Sequence, residues 1–362
     1  MFTASSLSLY SGRLSASLST PLRALRPLAA AALTIALTVP AALAQGMTNI
    51  NFTLDWRIEG PSAPFLMALE RGYFEEEGLR VSIDSGNGSA GAVTRVATGA
   101  YDMGFADFNA LVEHVAANPD DSLQAVYMVY NSIPAAVFAA KSSGIETPAD
   151  LVGKTLGSPV FDGGRKAWPS FAAANGLEVD AVSWESVDPA IRETLMAQGR
   201  LDGITGFYFT SLLNLEARGM DMDDVTVMLY ADFGVPLYGN AIIASNGMMR
   251  DNPDAVAAFN RAFNRALVET IEDPATAITY VKQRDGLIDE ELELRRLNLA
   301  LESVVITDDT RRDGLGSVTM ERLETAIDEA VSSFGLSMTP VAAELFNMDM
   351  LPERASREVP AL

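Results

Sequence analysis

Apolar and polar positions along this chain fall into two blocks that follow one order: strand, helix, strand, helix, strand. The first block runs through NFTLDW, PFLMALERGYFEEEG, LRVSID, AGAVTRVATG and YDMGFAD. The second runs through KTLGSPV, RKAWPSFAAANG, AVSWESV, PAIRETLMAQG and LDGITGFY. Short apolar runs alternating with helical patterns predict parallel βαβ units and an α/β fold class. The helix-to-strand turns match most closely, Ala97-Thr98-Gly99-Ala100-Tyr101-Asp102 against Ala197-Gln198-Gly199-Arg200-Leu201-Asp202. Such a repeat predicts two doubly wound lobes rather than one continuous sheet. Open sheets of this kind bind ligands just beyond the carboxyl ends of their strands. Two such edges facing each other would clamp a solute.

Within the first block, Trp56 ends the first strand and 57–64, with two prolines, is loop. Phe65, Leu66, Leu69, Tyr73 and Phe74 lie near a 3.6-residue period and predict a helix over 65–77 that Gly78 ends. The stretch Leu123–Ala140 is strand-like, is interrupted by Pro134, and is expected to carry the chain into the second lobe. A return strand is expected at 238–243. These readings assign 45–138 plus 242–362 to lobe 1 and 139–241 to lobe 2, joined by two crossover strands. From Pro253 onward the pattern is amphipathic helix, over 253–272, 274–284, 289–304 and 320–334. The charged residues Glu291, Glu293, Arg295 and Arg296 read as solvated surface.

The first 44 residues are set apart from the fold. They hold Arg13, Arg23 and Arg26, no acidic residue, an apolar run from Leu28 to Val39, and Ala42-Leu43-Ala44 before Gln45. That order is a secretory signal cut after Ala44. The Ser- and Arg-rich start also fits a mitochondrial transit peptide, or a misassigned start codon that lengthened the basic region, but a transit peptide does not need the apolar core or the small-residue site. The apolar run is shorter than the roughly 20 residues of a membrane span. Without the leader's three arginines the formal charge moves from −22 to −25, which opposes nucleic acid and anionic membrane faces as partners. There is no cysteine, so disulfides, thiolate catalysis, Cys-ligated metals and a lipid anchor on an N-terminal cysteine are excluded. The expectation is a freely soluble exported monomer, with no cofactor and no metal.

The cleft should be lined by the residues just beyond each strand. After the first strand come Trp56 and Arg57; the tryptophan either stacks on a flat ligand or covers the core as a rim residue. After the second comes Gly86-Asn87-Gly88-Ser89-Ala90-Gly91, which satisfies the dinucleotide fingerprint but sits in the wrong βαβ turn for it. A small anion held by backbone N–H groups at Gly88, Ser89 and Ala90 fits the same physics, and so does a flexible turn. Asp107 comes directly after the third strand. In lobe 2 the matching positions are Phe161, Asp162, Gly163 and Arg165, then Phe207 and Tyr208. Asp162 is a helix cap that Arg165 pairs with, unless Arg165 reaches the ligand. Tyr208 stacks, donates or packs into the core. The aromatic excess suggests a planar ligand, and Arg57 with Arg165 suggests negative charge on it.

The segment LDWRIEGPSAPFLMALERGYFEEEGLRV (54–81) resembles the opening of the periplasmic binding proteins of ABC importers for sulfonates, taurine, nitrate and thiamine pyrimidine precursors, together with the related pyrimidine synthases. VATGAYDMGFAD (96–107), IPAAVFAAKSSGIETPADLVGKTLGSP (133–159) and PVAAELFNMDMLP (340–352) agree with it. The resemblance implies a type II periplasmic binding protein that captures a small organic ligand by hinge closure and delivers it to a membrane permease. It departs from the pyrimidine-binding pattern, a Trp-x-Pro-Asn followed by His, because Arg57-Ile58-Glu59-Gly60 comes after Trp56. The synthase branch, the alternative reading, implies an active-site histidine and a cysteine-rich motif. The single histidine, His114, lies in the helical stretch ALVEHVAAN away from the strand-end loops.

Overall fold

The computed structural model describes residues 46–361, so the leader expected at 1–44 lies outside them. The chain builds two five-stranded mixed sheets. The first contains β1 (Thr48–Thr53), β2 (Leu79–Asp84), β3 (Met103–Asp107), β4 (Gln124–Met128) and β10 (Asn240–Ala244), in the order β2-β1-β3-β10-β4. The second contains β5 (Ala135–Ala140), β6 (Thr155–Ser158), β7 (Ser183–Ser186), β8 (Gly203–Phe207) and β9 (Val225–Leu229), in the order β7-β6-β8-β5-β9. The orders are equivalent. In each sheet three parallel strands are followed by one antiparallel strand supplied by a lobe crossing, β10 against β3 and β5 against β8.

Why the two blocks fold alike is visible at their matched turns. Asp102 accepts the Asn51 N–H at 2.8 Å, and Asp202 accepts the Thr155 N–H at 2.7 Å. Each carboxylate thus satisfies a backbone donor of an interior strand just before its pairing with the next parallel strand begins, at Phe52–Met103 and Leu156–Gly203. On the edge strand β2 the pattern alternates, with Leu79, Val81 and Ile83 inward and Arg80, Ser82 and Asp84 outward. The central β3 is buried throughout, as expected of a strand covered on both faces.

Two connectors cross between the sheets, 129–134 and 230–239. They run side by side, with the Ile133 N–H donating to Leu237 and the Gly239 N–H to Tyr130. Gly239 is needed there: a Cβ would lie 2.7 Å from the Ser132 carbonyl and 2.8 Å from the Tyr130 Cβ. The C-terminal helices then return over the first sheet. Pro253–Glu272 seats Phe259 and Phe263 against Phe52 and Phe65, with ring centroids 4.9 Å apart for Phe52–Phe259 and 4.4 Å for Phe65–Phe263. Among the described residues no helix is long and apolar enough to cross a membrane.

Three expectations change. The helix expected over 65–77 is two, Ala63–Glu70 and Tyr73–Glu76, because the chain turns left-handed at Gly72. The first strand stops at Thr53, so Trp56 belongs to the loop beyond it. Glu293 and Arg296 are not solvated surface; they are 6% and 2% exposed. Their helix, Glu290–Ala300, packs against the second lobe's helix Tyr208–Ala217, and the inner face of that contact is where they point.

The aromatic cluster sets a stability test. Phe263→Ala removes a ring that is fully buried against Phe65 and should cost about 3–5 kcal/mol. Denaturant unfolding of the 45–362 chain measures it, and a loss within about 1 kcal/mol would mean the cluster is not close-packed.

Candidate functional site

The site is built where the strands of both sheets end. Beyond β1, the loop Asp55-Trp56-Arg57 is held by the loop beyond β2: the Gly86 N–H donates to the Trp56 carbonyl at 2.9 Å, and the Gly88 N–H to Asp55 at 2.6 Å. A Cβ on Gly86 would lie 2.2 Å from the Leu54 carbonyl, so the approach requires glycine. These two N–H groups are therefore spent on the protein itself. Beyond β3, Asp107 caps the helix Phe108–Ala117, its Oδ1 accepting from Asn109 N at 2.7 Å and Ala110 N at 3.3 Å. In the second lobe Asp162 caps Gly163–Lys166 in the same way, accepting from Gly164 N and Arg165 N.

Between these edges lies a cavity of about 110 Å³, room for several waters or a small organic molecule. Its walls come from both lobes. The lobes meet closely at its mouth, where a Cβ on Gly88 would come within 3.3 Å of the Phe161 ring. Ten of the twelve residues expected at the cleft line it: Trp56, Arg57, Gly88, Ser89, Ala90, Asp107, Phe161, Asp162, Gly163 and Phe207. Arg165 and Tyr208 do not. The Arg165 side chain turns to the Ser158 carbonyl, the Ser186 hydroxyl and the Trp184 ring, so it neither faces the cavity nor forms an ion pair with Asp162. Tyr208 opens the helix after β8 and packs into the second lobe's own apolar cluster. Phe207, one residue earlier and on the opposite side of the chain, takes the place facing Trp56's lobe.

Sequence reasoning missed most of the polar lining. Asp55 and Glu59 face in from lobe 1, Lys166 and Arg192 from lobe 2, and Tyr130 from a connector. Asp55 Oδ2 accepts from Asn240 Nδ2 at 2.7 Å and more weakly from Ser89 Oγ at 3.3 Å. No donor from another residue reaches its Oδ1 among the described residues. Asp55 is half-buried at the cavity wall, and desolvation pushes its carboxyl up to about 7 despite those two hydrogen bonds. Desolvation raises Asp107 to about 6, against the N–H groups of the helix it caps. Glu59 is raised too, by burial, with Arg296 opposing. Asn109, 4% exposed, donates to the Tyr238 carbonyl, which fixes its amide; its oxygen has no partner among the described residues.

The cations are mostly committed. Arg192 is tied to Asp162 at 3.1 Å, Glu193 at 2.7 Å and Ser211 at 2.8 Å. Lys166 pairs with Glu113 across the lobes. Arg57 lies exposed on the rim over the Trp56 ring, 5.5 Å from its centroid. One further group closes the interface from outside the cavity. Glu293 accepts the Gly60 N–H at 2.6 Å and Arg296 Nε at 3.0 Å, while Arg296 donates to the carbonyls of Phe209 and Thr210. His114 is remote, bound to Asp121 at 2.8 Å.

Two mixed sheets with this strand order, paired edges and a cavity between them define the periplasmic-binding-protein fold. The periplasmic aliphatic sulphonate binding protein SsuA of Escherichia coli shares it, with a TM-score of 0.64, 14% identity, and coverage of 87% of this chain and 92% of that one. The chain belongs to the NMT1/THI5-like family, which residues 60–277 match. Its relatives include the formylaminopyrimidine-binding protein of Halalkalibacterium halodurans, 25% identical over 72% of this chain and 79% of the relative. The riboflavin-binding protein RibY of Chloroflexus aurantiacus is 27% identical over 80% of this chain and 82% of its own. The 4-amino-5-hydroxymethyl-2-methylpyrimidine phosphate synthase of Aspergillus parasiticus is 25% identical over 63% and 68%.

The raised carboxyls give the ligand-free protein a pH signature. Folded Asp55 holds its proton up to about pH 7, whereas the unfolded chain releases it near 3.8. Its contribution is therefore fully present below about pH 4 and is lost as pH rises through 7, so stability falls over that window. Calorimetric melting between about pH 5 and 8 should show the decline, and Asp55→Asn should flatten it. A slope identical in the variant would contradict the placement of this group.

Proposed function

We propose that the protein is the solute-binding component of an importer, exported to the periplasm, which closes its lobes around a planar nitrogen heterocycle and presents it to a membrane permease. The observation that carries this is the composition of the cavity: aromatic rings from both lobes around a floor of acceptors. Trp56 and Phe105 on one side, with Phe161, Phe207 and Phe209 on the other, suit a flat ring. A ligand touching both lobes biases closure, and one touching a single lobe does not.

The floor argues for donors on the ligand. Asp107, Asp55 once it ionises, and the Asn109 oxygen, which has no partner among the described residues, all accept, and each then needs an N–H or O–H once water is displaced. An alkanesulfonate or nitrate would instead meet carboxyl groups, with Arg57 at the rim as the uncommitted cation. The anionic ligand suggested by Arg57 and Arg165 thus loses its second arginine, and a ring bearing amino or imide N–H groups fits better. The relatives that bind formylaminopyrimidine and riboflavin are consistent with that class.

Calorimetry on ligand-free protein with formylaminopyrimidine, riboflavin and ethanesulfonate tests the reading. One of the two heterocycles should bind, and Trp56→Ala and Phe207→Ala should each weaken it about tenfold or more. Binding of the sulfonate alone, or heterocycle affinity unchanged in both variants, would refute it. A second reading, a pyrimidine synthase, draws on Lys166, an amine that lines the cavity. Incubation with pyridoxal phosphate should give no Schiff-base absorbance; a band abolished by Lys166→Ala would favour the enzyme.

A further inference from the structure

The geometry points to Arg322 as the positioning residue of the hinge: one guanidinium grips both connectors at the same level and confines lobe bending to the short stretches beyond it. Arg322 lies in the first turn of the helix Met320–Phe334. Its Nη2 donates to the Asn131 carbonyl at 2.6 Å and its Nη1 to Asn131 Oδ1 at 2.8 Å, in the first connector. Its Cζ lies 4.0 Å from the centroid of the Tyr238 ring, in the second. Asp309, at 2.7 Å, orients the guanidinium from the far side. A bidentate charged donor and a cation over an almost fully buried ring are each among the stronger polar contacts a protein makes.

Asn131 is a hub, not a passer-by. It is 2% exposed, its N–H donates to the Val304 carbonyl at 2.7 Å, and its Oδ1 also accepts from Thr307 Oγ1 at 3.0 Å. Val304, Thr307 and Asp309 belong to the C-terminal segment, which the Met128 N–H joins to the first sheet through Gly316 at 3.0 Å. Asn131 and Tyr238 therefore move with lobe 1. The stretches left for rotation are 132–134 before β5, and 234–237 on the way back from β9. The same helix carries the pivot to the site. At its far end Phe334 lines the cavity, and Ser333 Oγ is 2.6 Å from Ser170 Oγ of lobe 2. A 15-residue helix thus links hinge and cavity wall.

This inference assumes that the lobes bend, but its test needs no ligand, so it stands or falls apart from the solute proposed above. The chain has no cysteine. Thr94→Cys on lobe 1 and Glu185→Cys on lobe 2, both exposed, can be spin-labelled without background. Pulsed dipolar spectroscopy of the ligand-free 45–362 chain then reads the interlobe distance distribution. Arg322→Ala should widen it about twofold, because bending spreads along the connectors. Arg322→Lys, which keeps charge but loses the planar fork, should fall between. Arg250→Ala, at an exposed arginine whose partner among the described residues is its neighbour Asp251, should leave the width unchanged. If Arg322→Ala does not fold, Asp309→Asn takes its place with a smaller widening. An unchanged width in whichever of these two folds, or equal widening in Arg250→Ala, overturns the assignment.

Discussion

Charge carried into the contact between two lobes must arrive already paired, and the rest of this molecule is arranged around that constraint. A lone buried carboxylate or guanidinium is far costlier than a partnered one. Glu293 and Arg296 meet the requirement together and then use their remaining hydrogen-bonding capacity on backbone, the Gly60 N–H on one side and the Phe209 and Thr210 carbonyls on the other. Glu59 sits beside them in a longer ion pair, with Arg296 Nε 3.7 Å away and the Thr210 hydroxyl donating to it at 3.3 Å. It is this group, with Asp55 and Asp107, that leaves unspent acceptor capacity at the cavity. Pairing is complete where the lobes are joined and incomplete where a ligand would enter.

The exchange of strands between sheets supplies the second half of the logic. Each sheet completes itself with an antiparallel strand delivered by a crossing chain, so both connectors start and end at a paired strand. Gly239 allows them to pack backbone to backbone. A hinge of this kind is short by construction, and its few free residues are set by whatever anchors it on either side.

Much of this was legible from residue order. The paired blocks, the aspartates at 102 and 202, the crossing near Pro134 and the strand-end lining all come from period and turn chemistry. The failures have physical causes. Adjacent residues at a strand end face opposite ways, so choosing between Phe207 and Tyr208 required a phase that the loop does not reveal. Charge alone points Arg165 to the ligand or to Asp162, whereas the Trp184 ring and two oxygens hold it outside. Glu293 and Arg296, three apart on a helix, have the spacing of a solvated pair, and only the partner helix from the other lobe makes them interior. Asp55 stands beside Trp56 in the same loop. Nothing in its neighbours along the chain says that Asn240, 185 residues later, will enclose it.

The turn between Pro274–Arg284 and Glu290–Ala300 carries Leu287 at 95% exposure. A protease cutting there would sever the chain without touching either sheet, yet it would free the end of the segment that brings Glu293 and Arg296 to the interface. Such a nicked molecule would keep both lobes and their packed interiors while the joint between them slackened. Integrity of a peptide bond outside the cavity's lining is thus part of what keeps the two halves in register.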